Sequence, residues 1–223
     1  MTSRESYLKQ QEEMYLKWEL AMRDPWVFLT HFVYTLDPHA QTGNTIRGFP
    51  PKRHLLWLTR RWEEESRLLV AKSRQLQVTW LFVALYTWDS IAHFGKYTFF
   101  QSKKEDDAGF TSVLSLGSRA FWIWEHLPEE IRNRNPINKI KKPPILLFER
   151  TKSTIHGISQ DSEAPRQYTA TGFLSDEMAF QQNPEKGIIA AMPTLDISGK
   201  FTGVSSANGK EFFYRLLYDK VGV

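Results

Sequence analysis

Short apolar runs alternate with helix-length segments from Leu68 onward, and a chain patterned this way is restricted to an α/β layer with a mainly parallel sheet. Residues 68–71, 97–100, 172–175 and 200–205 read as strands, and 145–148 with 153–158 as a hairpin. The segment 78–94 is apolar enough for a buried helix. Asp89, Ser90 and His93 interrupt it where a membrane span would stay apolar. Ser102, followed three residues later by Glu105, is a capping box that predicts one helix running to about His126. Asn183-Pro184 opens a helix through Ile188, Ile189 and Met192, and a last helix covers 211–218. Ahead of this region lies a charged helix over 3–22, with Tyr7, Leu8, Tyr15, Trp18 and Met22 near one face. Asp24-Pro25 then supplies an N-cap and a proline at the first helical position. Residues 37–51, rich in Gly, Pro and Asn, predict a loop, and 54–65 predict a further helix. The expected division is a helical segment over 1–51 and an α/β core over 52–223.

Composition narrows the classes of function. An apolar fraction of 41% over 223 residues is enough for a sizeable core and excludes a disordered protein. The absence of cysteine excludes disulfides and thiolate zinc sites and fits a reducing compartment. No secretory apolar core follows Met1. The six histidines lack metal-binding spacing and read as structural or surface residues. Trp57, Trp62, Trp80, Trp88, Trp122 and Trp124 recur at helical spacings and read as packing residues. A net charge of +4 permits contact with nucleic acid without demanding it.

The apolar run Phe173-Leu174-Ser175 ends in Asp176-Glu177. Two adjacent carboxylates at a strand end suit nucleotide hydrolysis: the first can hold Mg²⁺ and the second can take a proton from the attacking water. The same pair also serves as the polar start of an ordinary loop. A phosphate-binding loop needs a strand, a tight turn and a helix beginning with Ser or Thr. Strand 68–71, the loop Lys72, Ser73, Arg74, Gln75, Leu76, Gln77 and Val78, and Thr79 in the first helical turn supply that frame. Thr79 offers a hydroxyl, and Lys72 and Arg74 are the candidate cations. The loop departs from G-x-x-x-x-G-K-[ST], because Lys72 and Gln77 occupy the glycine positions and Val78 that of the lysine. A basic strand-to-helix turn is the competing reading. Further on, strand 200–205 runs into Ser206, Ala207 and an Asn208-Gly209 turn. Hydroxyls at such a strand end, Ser205 and Ser206, could report whether a phosphate is present.

Taken together, these stretches resemble the ATPase domain of a tailed-bacteriophage terminase large subunit. Residues 73–79 look like a variant Walker A, 173–180 like Walker B with its glutamate, and 204–210 like the coupling motif. Residues 101–108 and Arg166, ten residues ahead of Asp176, are similar as well, so that the likeness extends over 55–218. The resemblance implies a P-loop fold of the additional-strand, catalytic-glutamate class, with ATP and Mg²⁺ bound. Lys72 would be the displaced loop lysine, Arg74 a further phosphate contact, and Thr79 and Asp176 the Mg²⁺ ligands. Glu177 would polarise the water. Arg166 would be an arginine finger acting on a neighbouring subunit, and Ser205, Ser206 and Ala207 would couple hydrolysis to movement. Two departures stand out: the family's glycines are replaced by Gln77 before Val78-Thr79 and by Gln167 after the finger arginine.

The implied partners are double-stranded DNA, a portal protein, the terminase small subunit and further copies in a ring on the portal, without a membrane. The implied place is the cytoplasm of an infected bacterial host, outside the mature virion. The family's C-terminal nuclease domain is expected to be absent from this chain. Arg132, Arg134, Lys139, Lys141 and Lys142 occupy a Pro-rich stretch without acids, a loop that either touches DNA phosphates or is simply solvated. Two alternatives stand beside the motor reading: a DEAD-box-like helicase domain, and a non-catalytic DNA-binding or scaffold domain with a decayed loop.

Overall fold

The N-terminal charged stretch forms α1 (Ser3–Ala21), and Asp24 opens α2 (Pro25–Phe32). The computed structural model describes residues 3–36, 45–74, 76–209 and 212–218. Asp24 caps α2 by accepting from the Trp26 amide at 2.8 Å, and Arg60 grips both of its oxygens at 3.0 and 2.9 Å. Burial pushes the Asp24 carboxyl up, but Arg60 and the Trp26 amide outweigh it and hold the group below its ordinary value. Asp24→Ala is therefore expected to lower stability by roughly 1–2 kcal/mol, read as a fall in Tm of about 2–8 °C. Because the folded pKa is depressed, this contribution is complete above the unfolded value of about 3.9 and is lost as pH falls through the folded one. The deficit of the variant should shrink accordingly in acid.

The expected loop over 37–51 holds more structure than its composition predicts. β1 (Tyr34–Leu36) pairs antiparallel with β2 (Ile46–Gly48); the residues between them, 37–44, lie outside those described. On α1, Trp18 packs edge-on against Phe28 and Phe32, whereas Tyr7 and Leu8 are exposed and do not share that face.

α3 (Arg53–Glu64) leads into β3 (Arg67–Ala71), and α4 (Val78–Ala92) follows, buried along nearly its whole length. It lies between the sheet and the N-terminal helices. Trp88 Nε1 donates to Ala21 O at 2.6 Å, and Leu81, Phe82 and Leu85 share one core with Phe28, Leu29 and Phe32. Trp62, Trp80 and Trp88 are buried as expected, but Trp57 is exposed at 61% and is not a packing residue. Among the described residues, no helix is long and apolar enough to cross a membrane.

After β4 (Tyr97–Ser102), the single long helix expected to His126 is broken into α5 (Glu105–Ala108) and α6 (Leu116–Glu125). Ser102 stays in its strand, opposite Ser159, and is buried, so it cannot reach forward as a cap. Gly109 ends α5, and a Cβ there would stand 3.0 Å from Pro144 and 3.1 Å from Glu105 O. Ser115 then donates its hydroxyl to Ser112 O at 2.7 Å and accepts from Ser112 N at 2.9 Å, a local closure that competes with helix.

The basic stretch is also ordered. α7 (Glu129–Arg134) is followed by β5 (Ile137–Ile140), which pairs antiparallel with β6 (Ile145–Phe148); β6 pairs antiparallel with β7 (Ser153–Ser159). β5 is an edge strand, and Lys139 on it discourages pairing with a further chain. β8 (Ala170–Asp176), α8 (Pro184–Ala191), β9 (Leu195–Ser205) and α9 (Phe212–Tyr218) complete the chain order. The seven-stranded sheet runs β3-β9-β8-β4-β7-β6-β5, parallel from β3 to β7. β9 is thus inserted between β3 and the strand that carries the acid pair, the additional-strand arrangement of the expected P-loop class. Phe99, Phe173, Phe201, Ile188 and Phe213 form the core on the other face of the sheet.

Candidate active site

Three strand ends meet at one edge of the parallel sheet, and ligands of such sheets bind beyond the carboxyl ends of the strands. β3, β9 and β8 finish at Ala71, Ser205 and Asp176, with Ala71 opposite Ser205 and Asp176 opposite Val204. Beyond them opens a cavity of about 610 Å³. Lys72, Leu76, Gln77, Val78, Thr79 and Trp80 line it from the loop and the start of α4. Arg47 and Gly48 of β2 close another side. Ser73 and Arg74 are exposed and do not line it; Gln75 lies outside the described residues.

Gln77 has φ 58° and ψ 16°, in the left-handed region, and its carbonyl accepts the Leu81 amide at 2.9 Å to start α4. A phosphate loop carries its second glycine here, and this backbone explains why: only glycine adopts it without strain. The Gln77 Oε1 is buried with no hydrogen-bond partner among the described residues. Gln77→Gly is expected to relieve roughly 1 kcal/mol and raise Tm by about 2–4 °C. An unchanged or lower Tm would mean that the side chain itself holds the loop.

Thr79 Oγ1 donates to Asp176 Oδ1 at 3.2 Å, joining the first turn of α4 to the end of β8. Burial pushes the Asp176 carboxyl above its ordinary value, against the opposing charges of Lys72 and Arg119 and the Thr79 hydrogen bond. A hydroxyl beside a buried carboxylate is a donor set suited to Mg²⁺, which takes few protein oxygens and completes its shell with phosphate and water. Among the described residues, no cluster of three or more His, Cys, Asp or Glu offers a metal cage. The backbone behind Asp176 is fixed by side chains: Ser175 Oγ donates to Gln101 Oε1 at 3.0 Å, and Gln181 Nε2 donates to Ser175 Oγ at 3.0 Å.

Glu177 is exposed and also left-handed, with φ 51° and ψ 36°. Its carbonyl accepts the Phe180 amide at 2.8 Å, opening a short 3₁₀ turn (Met178–Phe180). Non-glycine residues in this region are strained, and such residues cluster at functional sites. Ser205 ties the two flanking segments together. Its carbonyl accepts the Lys72 amide at 2.9 Å, and its Oγ accepts the Ala179 amide at 3.0 Å. Asn208 Nδ2 adds a bond to Ala179 O at 2.8 Å. Ser206 is half-buried and Ala207 exposed; Lys210 at the end of this stretch lies outside the described residues.

Arg119 of α6 also lines the cavity, a residue the motif pattern does not single out. The available signal was an arginine on the stripe otherwise formed by Leu116, Ala120 and Ile123.

The remaining expected residues lie elsewhere. Arg166 stands 65% exposed on a short 3₁₀ turn (Ala164–Gln167), paired with Glu163 at 2.7 Å, and does not line the cavity of its own chain. Arg132 Nη1 donates to Glu125 O at 2.7 Å and its guanidinium lies over Trp124; Arg134 lies over Tyr15. Lys139 holds its ammonium 3.9 Å from the Phe121 ring centroid, and burial pushes its pKa down. Lys141 and Lys142 are exposed in the turn before β6.

No protein-family model matches the sequence, and no curated protein matches it significantly. Solved structures do match the fold. The large terminase of bacteriophage HK97 aligns with a TM-score of 0.69 at 9% identity, over 89% of this chain and 40% of that one. The large terminase ATPase domain of Thermus phage P74-26 aligns with a TM-score of 0.65 at 20% identity, over 75% and 69% of the two chains. A large terminase from a thermophilic bacteriophage, solved with ADP, aligns with a TM-score of 0.58 at 14% identity, over 77% and 43%. The chain thus spans 40% of the length of the HK97 protein.

Proposed function

From a fold shared with the ATPase domains of phage large terminases, we propose that this chain hydrolyses ATP to drive double-stranded DNA into a procapsid. The observation that carries the reading is the Thr79–Asp176 contact beside a cavity lined by Lys72, in the fold of proteins of which one was solved with ADP. Lys72 is the loop cation on the phosphates; its place in the cavity favours it over Arg74. Thr79 and Asp176 hold Mg²⁺. Mg²⁺ held there would neutralise charge that develops on the phosphates during transfer. Glu177 orients the attacking water and takes its proton. Arg166 reaches a neighbour's nucleotide, and Ser205, Ser206 and Ala207 carry the change at the phosphate into movement.

Double-stranded DNA would meet Lys141 and Lys142 first, with Arg132, Arg134 and Lys139 beside them on α7 and β5. Such contacts are sequence-independent and weaken with salt. The remaining partners are a portal protein, the small subunit and further copies forming a ring, in the cytoplasm of an infected bacterium and outside the mature virion. A second reading, a nucleotide-free scaffold domain, draws on Gln77 and its unpartnered buried oxygen within the loop. The test is ATP turnover at high protein concentration and on assembled rings, with and without EDTA. Turnover abolished by the chelator supports the motor. No nucleotide binding at millimolar ATP by an assembled ring overturns it in favour of the scaffold.

A further inference from the structure

Arg119 lines the cavity beside Lys72 and Thr79. Its guanidinium lies over the Trp80 ring, 5.2 Å from the centroid, and its Nε is buried with no partner among the described residues. Burial disfavours its charge, while Asp176 and Glu177 favour it from a distance. Neither acid forms an ion pair with it within 4.0 Å. A guanidinium cannot shed its proton in a protein, so an arginine drawn out of water calls for an anion. In the proposed reading the two nearby acids serve the metal and the water, and neither pairs with Arg119, which lines the cavity where an anionic ligand would sit.

We infer that Arg119 is a phosphate ligand acting within its own subunit, with its guanidinium on the terminal phosphate of the bound nucleoside triphosphate. The end of the cavity is fixed by geometry. Arg119 shares the lining with Lys72 and with Thr79, whose hydroxyl is bonded to Asp176 at 3.2 Å, whereas Arg47 and Gly48 of β2 line another side. Trp80 keeps the planar group oriented before the ligand arrives, so little side-chain freedom is lost on binding. Arg119 thus adds a second cation beside Lys72, in a site where Val78 stands at the position that a phosphate loop ordinarily gives to its lysine. A charge on the terminal phosphate distinguishes triphosphate from diphosphate, which makes α6 a sensor of hydrolysis. This assignment rests on the nucleotide reading of the site.

Calorimetric titration of the whole chain with ATP-γ-S and with ADP, both with Mg²⁺, tests it. Arg119→Met keeps the bulk over Trp80 and removes the charge. It is expected to weaken ATP-γ-S by about 10–100-fold, the worth of a charge-assisted hydrogen bond, and ADP by less than about 2-fold. Arg119→Lys should fall between wild type and Arg119→Met for ATP-γ-S, and it carries the test alone if Arg119→Met does not fold. Equal loss for both nucleotides, or no loss for either, overturns the role of Arg119 and leaves the nucleotide site standing. Wild-type chain in assembled rings that binds neither nucleotide overturns the nucleotide reading itself.

Discussion

Replacing Arg166 with alanine is expected to slow ATP turnover by roughly 10³–10⁵-fold in the assembled ring, the range for loss of an arginine finger. The same change should leave the turnover of the isolated chain unaltered. The asymmetry follows from position. Arg166 is 65% exposed and absent from the cavity of its own chain, so in the proposed role the phosphate it meets would belong to another copy. Among the described residues its ion pair is with the exposed Glu163, and such pairs hold a side chain by about 0–1 kcal/mol. The arginine can therefore leave at small cost. Mixed rings supply the check. Subunits carrying Arg166→Ala next to subunits with intact loops should silence the neighbour and not themselves. Self-silencing, with a neighbour unaffected, would remove the trans role.

Glu177→Gln should reduce single-turnover hydrolysis by roughly 10²–10⁴-fold while nucleotide still binds. The amide has the size and shape of the carboxylate but cannot accept the proton of the water. The left-handed backbone at this position is not relieved by the change, since glutamine is strained there as glutamate is. The fold and the Thr79–Asp176 contact should thus persist, and a thermal melt should overlay that of wild type. Unchanged turnover in the variant would move the base to another residue and with it the meaning of the acid pair.

The alternation of strands and helices was legible because each parallel strand needs a short apolar run and each crossover a helix. Val78 as the first residue of α4 and the β6–β7 hairpin follow from local pattern alone. What escaped was set by tertiary contact. The helix break at Gly109 depends on Pro144 and Gly157, far along the chain; a Cβ at Gly157 would approach Ala108 O at 2.7 Å. β5 carries three exposed residues, Asn138, Lys139 and Ile140, and shows no apolar run. The hairpin β1–β2 rests on one buried side chain, Thr35, in an otherwise Gly- and Pro-rich segment. In the site, the spacing located Lys72, Thr79 and Asp176, which the fold brings to one strand-end cluster. It did not locate Arg119: an arginine on the apolar stripe of α6 marks a buried charge, but which cavity it lines is set by how α6 packs in the fold.

The placement of β9 has a mechanical consequence. A strand with a parallel neighbour on each side cannot slip along them. A slip of one residue, about 3.3 Å, would exchange its two faces and drive Phe201 out of its core. The register of the five parallel strands is thereby fixed by their pairing. If the proposed hydrolysis takes place, the displacement it drives is expected in the segments beyond the last paired residues, from Lys72, Glu177 and Ser206 onward. Ser205 is bonded to two of the departing segments, through its carbonyl to the Lys72 amide and through its hydroxyl to the Ala179 amide, so a shift in either is resisted at this one residue.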